Sequence, residues 1–148
     1  MFMTSPPLLV LLAVGACLVG ISLIWGARIR ERPGRMAIAA ATFHPIAALS
    51  LFYSLAMHMH RSHGGWPVTF GDEGFPQGLA MHTDLAYFTF GSLLLACLFI
   101  VPIAILLCAC VPRMRPGMGY LGVYALTSGA ALGAMMLAPD PFLSWWWD

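Results

Sequence analysis

The feature that most constrains this chain is where its few charges stand. Only 9% of its 148 residues are charged, and all seven basic residues are arginine. The charges cluster and leave four long uncharged stretches: before Arg28, between Arg35 and Arg61, between Asp84 and Arg113, and between Arg115 and Asp140. Each reaches the ~20 residues that a helix needs to cross a bilayer. Hydrocarbon offers no partner to a backbone amide, so an apolar stretch of this length folds as a helix. The sequence therefore predicts an all-α bundle of four membrane spans, about 8–27, 36–60, 84–111 and 119–138. A soluble domain has roughly a quarter of its residues charged, which excludes a water-soluble globular fold and a disordered chain. A net charge of +1 with no lysine offers no basic stripe for phosphates, which excludes nucleic-acid binding.

The first run is longer than a signal-peptide core, and no basic residue precedes it. It reads as a span. Arg28, Arg30, Arg32 and Arg35 surround a Pro-Gly turn after it, and Arg113 and Arg115 lie in a second turn. Short basic loops stay cytoplasmic. The loop 61–83 and both termini then face the outer, periplasmic side of a bacterial inner membrane. Trp145, Trp146 and Trp147 read as an interfacial anchor there. Pro45 and Pro102 lie inside spans and are expected to kink them. Ala125, Gly129 and Gly133 recur every fourth residue. They form a face on which another helix can approach closely, in this bundle or in other membrane subunits. The four cysteines lie in apolar runs and read as small hydrophobes.

Four of the five histidines stand at the outer face. His58, His60 and His63 end the second span, and His82 precedes the third, in matching contexts: Leu55-Ala56-Met57-His58 and Leu79-Ala80-Met81-His82. The two spans form a hairpin, so His58 and His82 can meet across it. Imidazole is the commonest metal ligand, and thioethers select soft ions such as Cu(I). His58, His60, His63, His82, Met57 and Asp84 are therefore the candidate metal ligands. His58 and His60 point ~200° apart on a helix and cannot share an ion, whereas His60 and His63 can. The His58–His82 pair could equally hold a b-type haem, or bind nothing and bond to water and headgroups. Thr83 and Asp84 read as a helix start. His44 lies ~12 Å inside the second span. At that depth an ionisable group faces the bundle interior, where Thr127 or Ser128 could bond it or a haem, quinone or proton path could use it. Asp72 and Glu73 lie in the Gly-rich loop and could join a metal site.

No Gly-x-Ser-x-Gly, His-Glu-x-x-His, phosphate loop or Cys-x-x-Cys is present, so no catalytic residue is named. Four stretches carry a family resemblance. They are His44, Phe70-Gly71-Asp72-Glu73-Gly74, His82-Thr83-Asp84-Leu85-Ala86 and Tyr124-Ala125-Leu126-Thr127-Ser128-Gly129. Over about Phe43 to Leu137 they resemble the small four-helix bacterial membrane proteins linked to cytochrome oxidase assembly. The resemblance implies that His44 and His82 contact haem or a metal. The expectation is a non-catalytic accessory or assembly subunit of a membrane redox complex, with haem b or copper at His58 and His82. The alternatives are a small b-type cytochrome, a copper-handling membrane protein and a structural subunit without cofactor.

Overall fold

The computed structural model describes residues 6–26, 34–66 and 75–147, and nearly all of them are helical, with no strand among them. The helices are α1 (Pro6–Gly26), α2 (Arg35–His63), α3 (Gln77–Leu95), α4 (Val101–Cys110), α5 (Met118–Met135) and α6 (Asp140–Trp147). A π turn, Ala96–Ile100, joins α3 to α4, and a 3-10 turn, Pro112–Gly117, precedes α5. Three helical stretches are long and apolar enough to cross a membrane: Leu8–Trp25, Arg35–His63 and Gln77–Cys110. A fourth joins them if Pro112–Met135 and Asp140–Trp147, bent by 111°, count as one.

Local chemistry sets the helix limits. Gly64 ends α2 in the left-handed region at φ 64°, which a residue without Cβ enters at no steric cost. Pro45 stays inside α2, which runs on to His63. The expected helix start at Thr83 and Asp84 is corrected: α3 begins at Gln77, capped by Pro76, whose carbonyl accepts from the amides of Leu79 and Ala80. The Thr83 hydroxyl donates instead to the Leu79 carbonyl, four residues back within α3. Pro102 has no amide hydrogen, and just before it the ladder slips: the Val101 amide reaches back five residues to the Ala96 carbonyl.

α5 is the central helix. α1 runs antiparallel along it, and the contact is made by glycines. A Cβ at Gly129 would stand 2.5 Å from Cys17 Sγ and 2.6 Å from the Ala13 carbonyl oxygen. A Cβ at Gly20 would stand 2.7 Å from both the Gly122 oxygen and the Leu126 nitrogen. Most of the Ala125/Gly129/Gly133 face is thus taken up inside the chain. Ala125 and Gly129 are buried, and only Gly133 has open space beside it.

The other side of α5 meets α2, which pairs with α3. The core gathers at the end that carries His58 and His82, and α6 closes it. The bend after Met135 swings Phe142, Trp145 and Trp146 inward, each at most 3% exposed. The expected interfacial tryptophan anchor is therefore corrected to a core cluster. Trp146 stacks on Tyr87 with centroids 4.2 Å apart and meets Phe52 and Phe90 edge-on. Rings offer large apolar area with few torsions to freeze, which suits them to this role. The outer surface is apolar too: Leu11, Leu18, Phe88, Phe99 and Leu106 are all exposed.

Candidate functional site

Two histidine–serine pairs bridge α2 and α3, His82–Ser54 and His44–Ser92. At the packed end, His58 Nδ1 and His82 Nδ1 lie 3.1 Å apart, with ring planes tilted by 39°. His82 Nε2 lies 3.0 Å from Ser54 Oγ, and the Ser54 hydroxyl is 3.0 Å from the Leu51 carbonyl. A carbonyl only accepts, so the Ser54 proton goes to Leu51 and Ser54 Oγ accepts from His82 Nε2–H. In its neutral form His82 then has a bare Nδ1, and His58 Nδ1–H donates to it. The gap between the two rings holds one proton, assigned here from the bonding network.

The second pair is nearer the middle of the bundle. His44 Nε2 is 2.9 Å from Ser92 Oγ, and Ser92 donates to the Thr89 carbonyl at 2.7 Å. His44 Nε2–H therefore donates to Ser92. Its bare Nδ1 accepts from the Tyr124 hydroxyl of α5 at 2.8 Å. Both nitrogens of His44 are engaged. Ligation there would have to break one of these bonds. Thr127 does not reach His44; its hydroxyl bonds the Val123 carbonyl of its own helix. Ser128 is fully buried, with the side chains of Tyr124 and Cys97 beside it, and does not itself bond His44.

The two pairs mirror each other. Ser54 follows His44 by ten residues and Ser92 follows His82 by ten. Because α2 and α3 run antiparallel, each histidine finds the serine of the other helix. Each serine in turn donates to the carbonyl three residues back. This repeated His-x9-Ser spacing was the signal in the sequence for Ser54 and Ser92, which residue-type reasoning passed over. Tyr124 had no such signal, because its role depends on where α5 docks.

The remaining ligand candidates are not drawn together. His60 sits edge-on to Trp66 at 4.8 Å, and His63 lies against Phe75 at 5.2 Å. Met57 and Asp84 are exposed, and Met59 is buried in the core. Asp72 and Glu73 lie outside the described residues. Among the described residues no group of three or more His, Cys, Asp or Glu gathers.

Chemically, the His58–His82 pair can do one thing beyond sharing a proton. Two imidazole nitrogens on one tetrahedral ion, with bonds of ~2.0–2.1 Å, stand ~3.3 Å apart. The observed 3.1 Å is close to that distance. Ser54 would hold the His82 tautomer that leaves Nδ1 free, the usual service of an outer partner to a metal-binding histidine. No protein-family model matches the chain, and neither does any curated protein or solved structure.

Proposed function

We propose that the protein is a non-catalytic accessory or assembly subunit of a membrane redox complex, carrying a single Cu(I) between His58 and His82. The chain lies in a bacterial inner membrane, with the 3-10 turn and α5 crossing together as the fourth span. Arg113 and Arg115, at the end opposite His58 and His82, support placing the histidine pair and both termini on the outer face. Partner subunits then meet the exposed apolar faces of α1 or of α3 and α4, since α1 covers Ala125 and Gly129.

The observation that carries the reading is the 3.1 Å separation of the two Nδ1 atoms, with Ser54 fixing one ring. It favours an ion held at a bent angle over one held in line between the rings, as in haem. An iron between two axial imidazoles would set their nitrogens ~4 Å apart, two metal–nitrogen bonds in line. The ion would displace the one shared proton, and with the nitrogens this close it is held at a bent angle, which leaves positions open for ligands from a redox partner. An outward imidazole pair of this kind suits holding copper for transfer to a redox partner.

The test is an anaerobic Cu(I) titration of the purified chain against a chromophoric chelator. One Cu(I) per chain is expected. His82→Ala should lose binding by at least about 100-fold, and Ser54→Ala should weaken it about tenfold through the lost outer partner. Unchanged affinity in His82→Ala would sink the copper reading. A Soret band that disappears in His82→Ala would make the protein a b-type cytochrome instead.

A further inference from the structure

At the arginine end the described residues leave a groove. Beyond the π turn the groove, of about 790 Å³, runs between α2, α4 and α5. That is the size of a small-molecule site. Its walls are apolar, among them Ala96, Ile100, Ala104 and Leu121. Polar groups stand at its two ends. Arg113 is at the mouth, while His44, Ser92 and Tyr124 line the inner end. A π turn is itself a feature that recurs at functional sites, and this one supplies part of the wall.

The inner end has a definite hydrogen-bonding sense. Tyr124 O–H donates to His44, His44 donates to Ser92, and Ser92 donates to the Thr89 carbonyl. Every proton in this relay is spent inside it. What remains is lone-pair capacity on Ser92 Oγ and on Tyr124 Oη, the latter beside the buried Ser128 hydroxyl. The groove thus ends in acceptors, and it complements a ligand that brings hydroxyl donors on an otherwise apolar body. The rings of His44 and Tyr124 lie within 15° of parallel, a flat border for an aromatic head. We propose that this groove binds the ring head of a long-tailed quinol, with a quinol hydroxyl donating to Tyr124 Oη and the tail running along the apolar walls.

A phospholipid fits the same walls the other way round, with its phosphate on Arg113 and only an acyl chain beside His44. The relay also states a preference between the two redox forms of the ligand. A quinone carbonyl needs a donor. Tyr124 can supply one only by giving up its bond to His44, or if the His44 proton moves to Nδ1 to donate to Tyr124 while Ser92 turns from Thr89 to donate to Nε2. Either way one bond of the relay is forfeited, so the quinol binds more tightly.

The proposal stands apart from the copper reading, and its test leaves His58 and His82 untouched. The full chain in maltoside micelles is dialysed against a decyl-tailed benzoquinol, kept reduced, and separately against the matching quinone. Saturable quinol binding is expected, tighter than that of the quinone. Tyr124→Phe keeps the ring and should weaken it about three- to tenfold, the worth of one hydrogen bond. Ala104→Phe fills the groove and should abolish it, while Arg113→Ala should leave it unchanged. Circular dichroism melting shows that each variant is folded. The proposal is overturned if quinol does not saturate, if the quinone binds as tightly, or if folded Tyr124→Phe or Ala104→Phe binds like the parent. It is also overturned if Arg113→Ala weakens binding and phospholipid is found in the groove.

Discussion

Replacing Trp146 by alanine is expected to cost about 3–5 kcal/mol, the range for deleting a large buried ring. Trp146 is 3% exposed and lies among Phe52, Tyr87, Phe90 and Phe142. No other ring can swing into the space, because its neighbours are already in contact with one another: Phe52 with Phe142, and Phe142 with Trp145. The loss should also release α6 from its 111° bend, since burial of Phe142, Trp145 and Trp146 is what holds the bend closed. Trp146→Phe should be much milder, because the indole nitrogen of Trp146 has no hydrogen-bond partner to lose. Denaturant unfolding in micelles, followed by near-ultraviolet circular dichroism, measures both. A loss under 1 kcal/mol for Trp146→Ala would show that α6 does not close the core.

Two glycines four residues apart on α5 should respond to the same substitution with opposite signs. Gly129→Ala drives a Cβ to within 2.6 Å of the Ala13 backbone oxygen and 2.9 Å of the Cys17 backbone nitrogen. Backbone atoms of a packed helix cannot step aside singly, so α1 must move as a body. Overpacking of this kind costs about 1–3 kcal/mol. Gly133→Ala meets nothing within 4 Å and should gain up to about 1 kcal/mol from helix propensity alone. The readout is the same unfolding curve, with a cysteine crosslink between α1 and α5 as a second measure of their contact. Equal effects at the two positions would mean that α1 does not pack on Gly129.

Much of the helical framework was legible in the residues. The uncharged stretches marked α1, α2 and α5 within a few residues; at α3 Thr83 and Asp84 resembled a cap but Pro76 supplied one seven positions earlier, and α6 was not marked at all. The meeting of His58 with His82 followed from the hairpin. The matched Leu-Ala-Met-His contexts pointed to it. The partners of those histidines did not follow. Thr127 and Ser128 stood at the right depth for His44, yet the rotation of α5 presents Tyr124. The three tryptophans carried the composition of a membrane anchor, and only the bend after Met135 shows that they face inward.

The difference has one physical origin. Crossing length depends on local hydropathy and on a fixed rise of ~1.5 Å per residue, both properties of the chain taken segment by segment. Which face of each helix turns inward is a relation between segments. In water the hydrophobic effect writes that relation into the sequence as a stripe. In lipid the surroundings are as apolar as the interior, and no such stripe is required. The sequence by itself therefore determined that this chain is a set of apolar helices with four of the five histidines toward one end and six of the seven arginines toward the other. The docking of those helices decided that α1 seals the glycine face, that α6 folds into the core, and that His44 and His82 are each tied to a serine across the hairpin.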